Sequence, residues 1–445
     1  MSETATAEGR PGLLDRFLRL FSDVRPGEAG TALLLTLNLF LLLVGYYVLK
    51  TVREPLVLVT GGAEMKAYAS AGQALTLILF VPAYGWLASR VDRLRLIVSV
   101  VLFFTVCIEL FFLGGRLRVP NLGFVFYIWV GIFNLAMVAQ FWSFANDLYT
   151  REAGDRLFAI IAIGQTTGAW VGSKVAEELF RARVDPFTIM HVSAVLMLAH
   201  LVFYIVVSRR SAGQKGAAPP APPLAKKPGG FTLVLRSPYL RLIGILLIAA
   251  NLVNTMGEYM LDRLLVAATP GALAADPTLT ADAFIGAFKG NYFFWVNFLA
   301  VVLQAFLASR IVKYTGIRGV VLALPLVALG TYGLAGVGVG LVLMRWAKTA
   351  ENATDYSIMN TAKAMLWLPT TREEKYKGKQ TVDTFFVRTG DVLSALLVYV
   401  GTTMLAFDVK GFARMNLVII AVWIGVAVLL LREHRRLVES EKRAA

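Results

Sequence analysis

The sequence predicts an all-α membrane protein with about 12 transmembrane helices, arranged as two pseudo-symmetric six-helix bundles. Three observations carry this prediction. Of 445 residues, 57% are hydrophobic and 16% charged, with a mean hydropathy of +0.65; a soluble domain is about a quarter charged. Apolar stretches of spanning length follow one another along the chain. Short motifs also recur, in order and at a nearly constant offset.

The same composition excludes several classes. A single cysteine, Cys107, gives no internal disulfide framework. The three histidines, His191, His200 and His434, form no metal-ligand cluster. No G-x-x-x-x-G-K-[ST] run is present, so no Walker-type ATPase engine is expected. Without a metal cluster or a recognisable nucleophile–base pair, neither an enzyme nor a cofactor is expected.

Taken in order, residues 1–30 read as a cytoplasmic arm. Leu13, Leu14, Phe17, Leu18 and Phe21 share one helical face, with Asp15, Arg16 and Arg19 elsewhere, the pattern of a helix lying in the membrane interface. No secretory signal is expected, because the first apolar run comes late and lacks a small-residue cleavage site. Spans follow at 31–52, 67–88, 95–114, 122–147, 157–180 and 187–208, an N-terminal bundle over 31–208. Residues 209–239 contain an Ala/Pro/Gly/Lys-rich run and read as a flexible cytoplasmic linker. Spans at 240–262, 284–309, 318–334, 336–366, 381–404 and 411–431 form a C-terminal bundle over 240–432, and 433–445 is a basic tail.

Loop charges set the orientation. Arg90, Arg93, Arg95, Arg151, Arg156, Arg209, Arg210, Lys226, Lys227, Arg310, Lys313, Arg372, Lys375, Lys377 and Lys379 fall on the side of the termini. The opposite loops hold only Lys66, Arg116, Arg118, Arg181, Arg183, Lys289, Lys410 and Arg414. Both termini are therefore expected in the cytoplasm of a multi-pass bacterial inner-membrane protein. The net charge of +15 then reads as positive-inside bias and not as a nucleic-acid footprint. Membrane lipids are the expected surroundings, and a monomer the expected state.

The two halves repeat. Leu87-Ala88-Ser89-Arg90 recurs as Leu307-Ala308-Ser309-Arg310, Thr150-Arg151-Glu152 as Thr371-Arg372-Glu373, and Thr167-Gly168 as Thr389-Gly390. Two such halves joined by a cytoplasmic linker resemble the major-facilitator architecture. Gly85-Trp86-Leu87-Ala88-Ser89-Arg90-Val91-Asp92-Arg93 is similar to that superfamily's second-to-third loop motif.

Ionisable groups inside a span cost roughly 2.5–3.5 kcal/mol on insertion scales, so each needs a reason. They concentrate on the first, fourth, seventh and tenth spans, which line the central cavity in the major-facilitator fold. The candidates are Lys50 and Arg53; Asn146 and Asp147; Glu258 and Asp262; and Arg345, Lys348, Asp355 and Lys363. Arg345, Lys348, Asn352, Asp355 and Met359 fall on one helical stripe, continued by Lys363. Arg388, with Gln165, Lys174 and Asp391, adds polarity near the same rim. Such cations suit a polyanionic substrate; internal pairing, Arg53 with Asp262 or Arg345 with Glu351, is the competing reading. Gly164, Gly168 and Gly172 give one span a bare face for close packing. Phe141, Trp142, Trp170 and Phe386 either stack on a base or simply pack.

Three segments resemble the nucleotide transporters, the ATP/ADP translocases of intracellular bacteria and plastids. They are Leu49-Lys50-Thr51-Val52-Arg53-Glu54-Pro55, Phe141-Trp142-Ser143-Phe144-Ala145-Asn146, and the run from Tyr356-Ser357 through Lys363, Pro369 and Lys375-Tyr376-Lys377-Gly378-Lys379 to Asp383. The resemblance implies nucleotide exchange by alternating access. It assigns phosphate contacts to Lys50, Arg53, Lys377 and Lys379. Gly378, between two lysines, would allow positive φ or a close backbone approach. The alternatives are a proton-coupled carrier using Asp147, Glu258, Asp262 or Asp355, and a lipid-handling membrane protein.

Overall fold

The computed structural model describes residues 23–25, 28–88, 90–211 and 229–444. They form helices α1 (Ala29–Ala88), α2 (Arg93–Arg116), α3 (Leu122–Leu148), α4 (Arg151–Arg181), α5 (Pro186–Ser211), α6 (Gly230–Arg236) and α7 (Pro238–Ala275). After these come α8 (Ala281–Val302), α9 (Ser309–Val337), α10 (Leu341–Thr354), α11 (Asn360–Leu366), α12 (Lys379–Thr381), α13 (Val387–Thr403) and α14 (Val409–Ala444). Four π-turns interrupt the second half, at Leu303–Ala308, Asp355–Met359, Glu374–Gly378 and Val382–Phe386.

Helix starts follow the local sequence. Asp92, Thr150, Ser237 and Thr280 each accept a backbone N–H from the first turn, and Pro238 follows Ser237 where a missing N–H does no harm. Among the described residues, eight helical elements are long and apolar enough to cross a membrane. Two of these are far too long for one crossing. The 60 residues of α1 would measure about 90 Å as a straight helix, against a hydrocarbon core of about 30 Å. α1 is two helices meeting at Gly62 (φ 68°, ψ −171°), and the 57-residue run Ala281–Val337 breaks in the same way at Gly316 (φ 63°, ψ −155°). These backbone angles are open to glycine and costly for other residues.

Each predicted apolar stretch lies in helix, except that 336–366 is broken at Gly338–Gly340 and Met404 lies just past α13. The boundaries drawn from composition need correcting. Residues 209–211 complete α5, and α6 and the start of α7 occupy 230–239, so helix takes both ends of the expected linker. α14 runs on through the expected tail to Ala444; no glycine or proline stops it where the apolar pattern ends. The interfacial helix of 13–21, with Arg16 and Arg19, and the linker's centre at 212–228 lie outside the described residues.

Within the first half, α4 packs on α1 through its glycines. A Cβ added at Gly164, Gly168 or Gly172 would meet the backbone carbonyl of Thr36, Phe40 or Val44 respectively. Close packing is thus the role of that bare face. Between the halves, α4 packs on α8 and α13 on α1. The end bearing the first described residues is held by Arg156, which binds both carboxylate oxygens of Glu28 at 2.9 Å. Partial burial would raise the Glu28 pKa, but hydrogen bonds from Arg156 and the Arg25 N–H outweigh it and hold the carboxyl below its ordinary value.

Candidate functional site

The first half of α1 enters from that end and passes Pro55 before Gly62, and the second half, which contains Pro82, runs back. Its polar residues Lys50, Arg53 and Glu54 are buried and fall between the two halves of the molecule. They line a cavity of about 140 Å³ together with Lys66, Tyr127, Asn254, Glu258, Asp262, Phe293, Asn352 and Tyr356.

One wall is a buried ion cluster. Lys66 Nζ lies 2.5 Å from Glu54 Oε2 and 2.6 Å from Asp262 Oδ2. Lys289 Nζ lies 2.5 Å from Asp262 Oδ1, and 3.6 Å from both Glu54 and Glu258. The side chains of Glu54 and Asp262 are 1% exposed and that of Lys289 is 0%. The Asp262 contacts miss hydrogen-bond angles, so this carboxylate is held by charge rather than by aligned donors. Glu54 and Lys66 belong to the first half, Asp262 and Lys289 to the second, so the cluster ties the halves together. Other ties lie at the same end. Tyr259 donates to Glu64 at 2.8 Å, Asn291 to Glu177 at 2.7 Å, and Arg183 to Asp276 at 3.0 Å.

The cluster obeys the internal repeat. Gly168 and Gly390, already matched by sequence, approach the carbonyls of Phe40 and Ile248, which aligns α1 with α7 at an offset of 208 residues. At that offset Glu54 corresponds to Asp262, and Lys50 to Glu258. Lys66 corresponds to Lys289 at 223, close to the offset of the other motifs.

Lys50 stands apart. Its Nζ sits 4.4 Å from the Phe293 ring centre and 4.8 Å from that of Tyr47. Among the described residues no carboxylate comes within 4.0 Å of it. Arg53, one turn on, stacks on Tyr127 at 4.1 Å and uses its Nε on Glu54 at 3.3 Å.

Of the predicted site residues, Lys50, Arg53, Glu258 and Asp262 line this cavity. Glu258 accepts from Tyr292 at 2.5 Å and Asn352 at 2.8 Å. Lys348 is fully buried beside it, bonded to Asn254 at 2.8 Å and Glu351 at 3.1 Å. The others lie elsewhere. Arg345 bonds Asn291 and stacks on Trp346 in a separate crevice with Arg181 and Arg183. Asp147 pairs with Arg93 in a pocket at the α1–α2 loop, and Asn146 beside it is exposed. Asp355 pairs with Lys363 at 3.5 Å, and Arg388 with Asp391 at 3.3 Å. Lys379 is exposed and Lys377 half-buried, on and after the π-turn Glu374–Gly378.

Three sequence expectations need correction. The pairs Arg53–Asp262 and Arg345–Glu351 do not form, because Lys66, Lys289 and Lys348 take those acids. The stripe from Arg345 to Lys363 is not continuous, because the π-turn Asp355–Met359 adds a residue to one turn and rotates everything after it. Gly378 is helical, with φ −62°, and an added Cβ would find ordinary contact at 3.4 Å, so no special backbone is needed there. Of the aromatics, Phe141 is fully buried against Trp142 and Tyr204, and Trp170 packs on Phe294 and Phe298.

The fold is that of the major-facilitator-type transporters, and the chain is a multi-pass membrane protein. It matches a peptide transporter POT in complex with sulfate (TM-score 0.64, 14% identity, 92% of this chain and 95% of that one). It also matches the nucleoside transporter NupG (TM-score 0.62, 14% identity, 90% and 98%). By sequence it is similar to ADP,ATP carrier protein 1 of Chlamydia trachomatis serovar D, 22% identical over 458 residues, covering 87% of this chain and 84% of the relative. ADP,ATP carrier protein 1 of Chlamydia pneumoniae is 22% identical over 355 residues, covering 68% of this chain and 66% of the relative. No family model matches the chain. The resemblance to nucleotide transporters drawn from three motifs thus extends over most of the sequence.

Proposed function

We propose that this membrane transporter exchanges a nucleotide or a related phosphorylated anion by alternating access across a bacterial inner membrane, with both termini cytoplasmic. The observation that carries this reading is Lys50: a buried lysine without a carboxylate partner among the described residues, facing a cavity between two halves. A cation left unpaired in a membrane protein is expensive, and an anionic substrate would relieve it by a charge-assisted contact. Arg53 would share that contact. The similarity to ADP,ATP carriers supports the same substrate class. At about 140 Å³ the cavity is smaller than the roughly 300–1,000 Å³ typical of small-molecule sites, so it must widen to admit a nucleotide. The cluster Glu54–Lys66–Asp262–Lys289 is the proposed gate, on the side away from the termini. Lys377 and Lys379 remain proposed phosphate contacts on the cytoplasmic side. A proton-coupled carrier is the weaker reading, since Asp147, Glu258, Asp262 and Asp355 each have a basic partner within 4.0 Å.

Protein reconstituted into liposomes preloaded with nucleotide should take up labelled ADP or ATP in exchange, and Lys50→Ala should reduce that uptake. Absence of exchange with every nucleotide and phosphorylated metabolite tried would refute the proposal.

A further inference from the structure

We infer that the cavity receives a single anionic group, of the size of one phosphate, and that it selects against a polyphosphate chain. The inference rests on the nucleotide-like reading above and narrows it.

Three cations line the cavity, Lys50, Arg53 and Lys66, and so do three carboxylates, Glu54, Glu258 and Asp262. Lys289 stands behind them, 2.5 Å from Asp262 and 3.6 Å from both Glu54 and Glu258. The surplus is one positive charge. The neighbouring intramembrane charges are neutralised locally: Lys348 with Glu351, Lys363 with Asp355 and Arg388 with Asp391.

The placement of the charges is as informative as their number. Lys66 and Lys289 are committed to Glu54 and Asp262, which leaves the cationic face to Lys50 and Arg53 on α1. The corresponding position on the second half is Glu258, whose side chain is 21% exposed. The cavity is therefore bipolar, basic on one wall and acidic on the other. One phosphate seated on Lys50 and Arg53 meets complementary charge. A second or third phosphate, extending from that seat toward the opposite wall, meets the carboxylate of Glu258, and like charges brought together in a low-dielectric site repel strongly. The acidic wall suits the other end of a substrate when that end is uncharged and rich in hydrogen-bond donors, as a nucleobase or sugar is.

The test is a binding titration of the purified full-length chain, without divalent cation, against the mono-, di- and triphosphates of one nucleoside and against inorganic phosphate. The expected result is tightest binding of the monophosphate, weaker with each added phosphate. Lys50→Gln should weaken the monophosphate about tenfold to a hundredfold, as expected for a lost charge-assisted hydrogen bond. Glu258→Gln, which removes the opposing charge and leaves Lys50 in place, should narrow the gap between mono- and diphosphate. Affinity that rises with phosphate number overturns the inference while leaving nucleotide transport intact. No binding of any of the four overturns it together with the broader proposal.

Discussion

The two halves carry one repeat and treat it differently at two neighbouring places. At the proposed gate the repeat is kept: Glu54 and Asp262 correspond, Lys66 and Lys289 correspond, and each acid of one half meets a lysine of the other. One turn before, the repeat is broken: Lys50 faces the cavity from the first half and Glu258 from the second. A symmetric closure can be built from either copy of a duplicated sequence. A substrate that is not symmetric needs different chemistry on its two sides. Paired charges thus mark where the halves hold each other, and the unmatched pair marks where something else is held.

The comparison can be tested first at the gate. Asp262→Ala leaves Lys66 and Lys289 buried with only Glu54 between them. Removing one partner of a buried ion pair costs about 3–5 kcal/mol, so a marked fall in the unfolding temperature in detergent is expected. Adding Lys289→Met should recover part of it, and an unchanged unfolding temperature in the single variant would mean the cluster does not tie the halves.

Lys50→Ala should behave in the opposite sense. No acid is stranded when it goes, so thermal stability should hardly move, while substrate affinity falls by about 1.5–3 kcal/mol. A large loss of stability with unchanged affinity would make Lys50 another structural charge.

Much of this fold was legible beforehand. The apolar stretches, the repeat and the bare face of Gly164, Gly168 and Gly172 need only local composition and periodicity. The ion cluster was not legible, because Lys66 and Lys289 lie near the ends of apolar stretches, where a charge count assigns lysines to loops. Lys289 did leave a signal, as the one charge between Asp282 and Arg310 in an otherwise apolar or neutral run. The 208-residue offset that pairs Glu54 with Asp262 was equally present, though it emerges only when glycine contacts fix the alignment. Partner choice was beyond local patterns: four helices from two halves decide it.

Smaller effects sharpen the contrast between required and incidental glycines. Gly168→Ala would press a methyl against the Phe40 carbonyl, 2.6 Å from the new Cβ, and should cost roughly 1–3 kcal/mol, read as a lower unfolding temperature. Gly378→Ala has ordinary room and helical angles, so stability should be unchanged or rise by about 0.4–1 kcal/mol. Impaired transport in that variant at normal stability would extend the proposed role of Lys377 and Lys379 to Gly378 between them.

The π-turns have a consequence for motion. Among the described residues all four lie in the second half, and three of them hold Tyr356-Ser357, Lys375 to Gly378, and Asp383, the segment most like the nucleotide transporters. A π-turn is a place where a helix carries one residue more than its ladder of hydrogen bonds can register. Such slack can migrate along a helix by exchanging one carbonyl partner for the next, advancing the chain without melting it. The first half, locked carbonyl to glycine along α4, has no comparable reserve among its described residues. Amide protons around 303–308, 355–359 and 374–386 should therefore exchange with deuterium sooner than those around 164–172, and the second half should supply most of the give as the cavity opens.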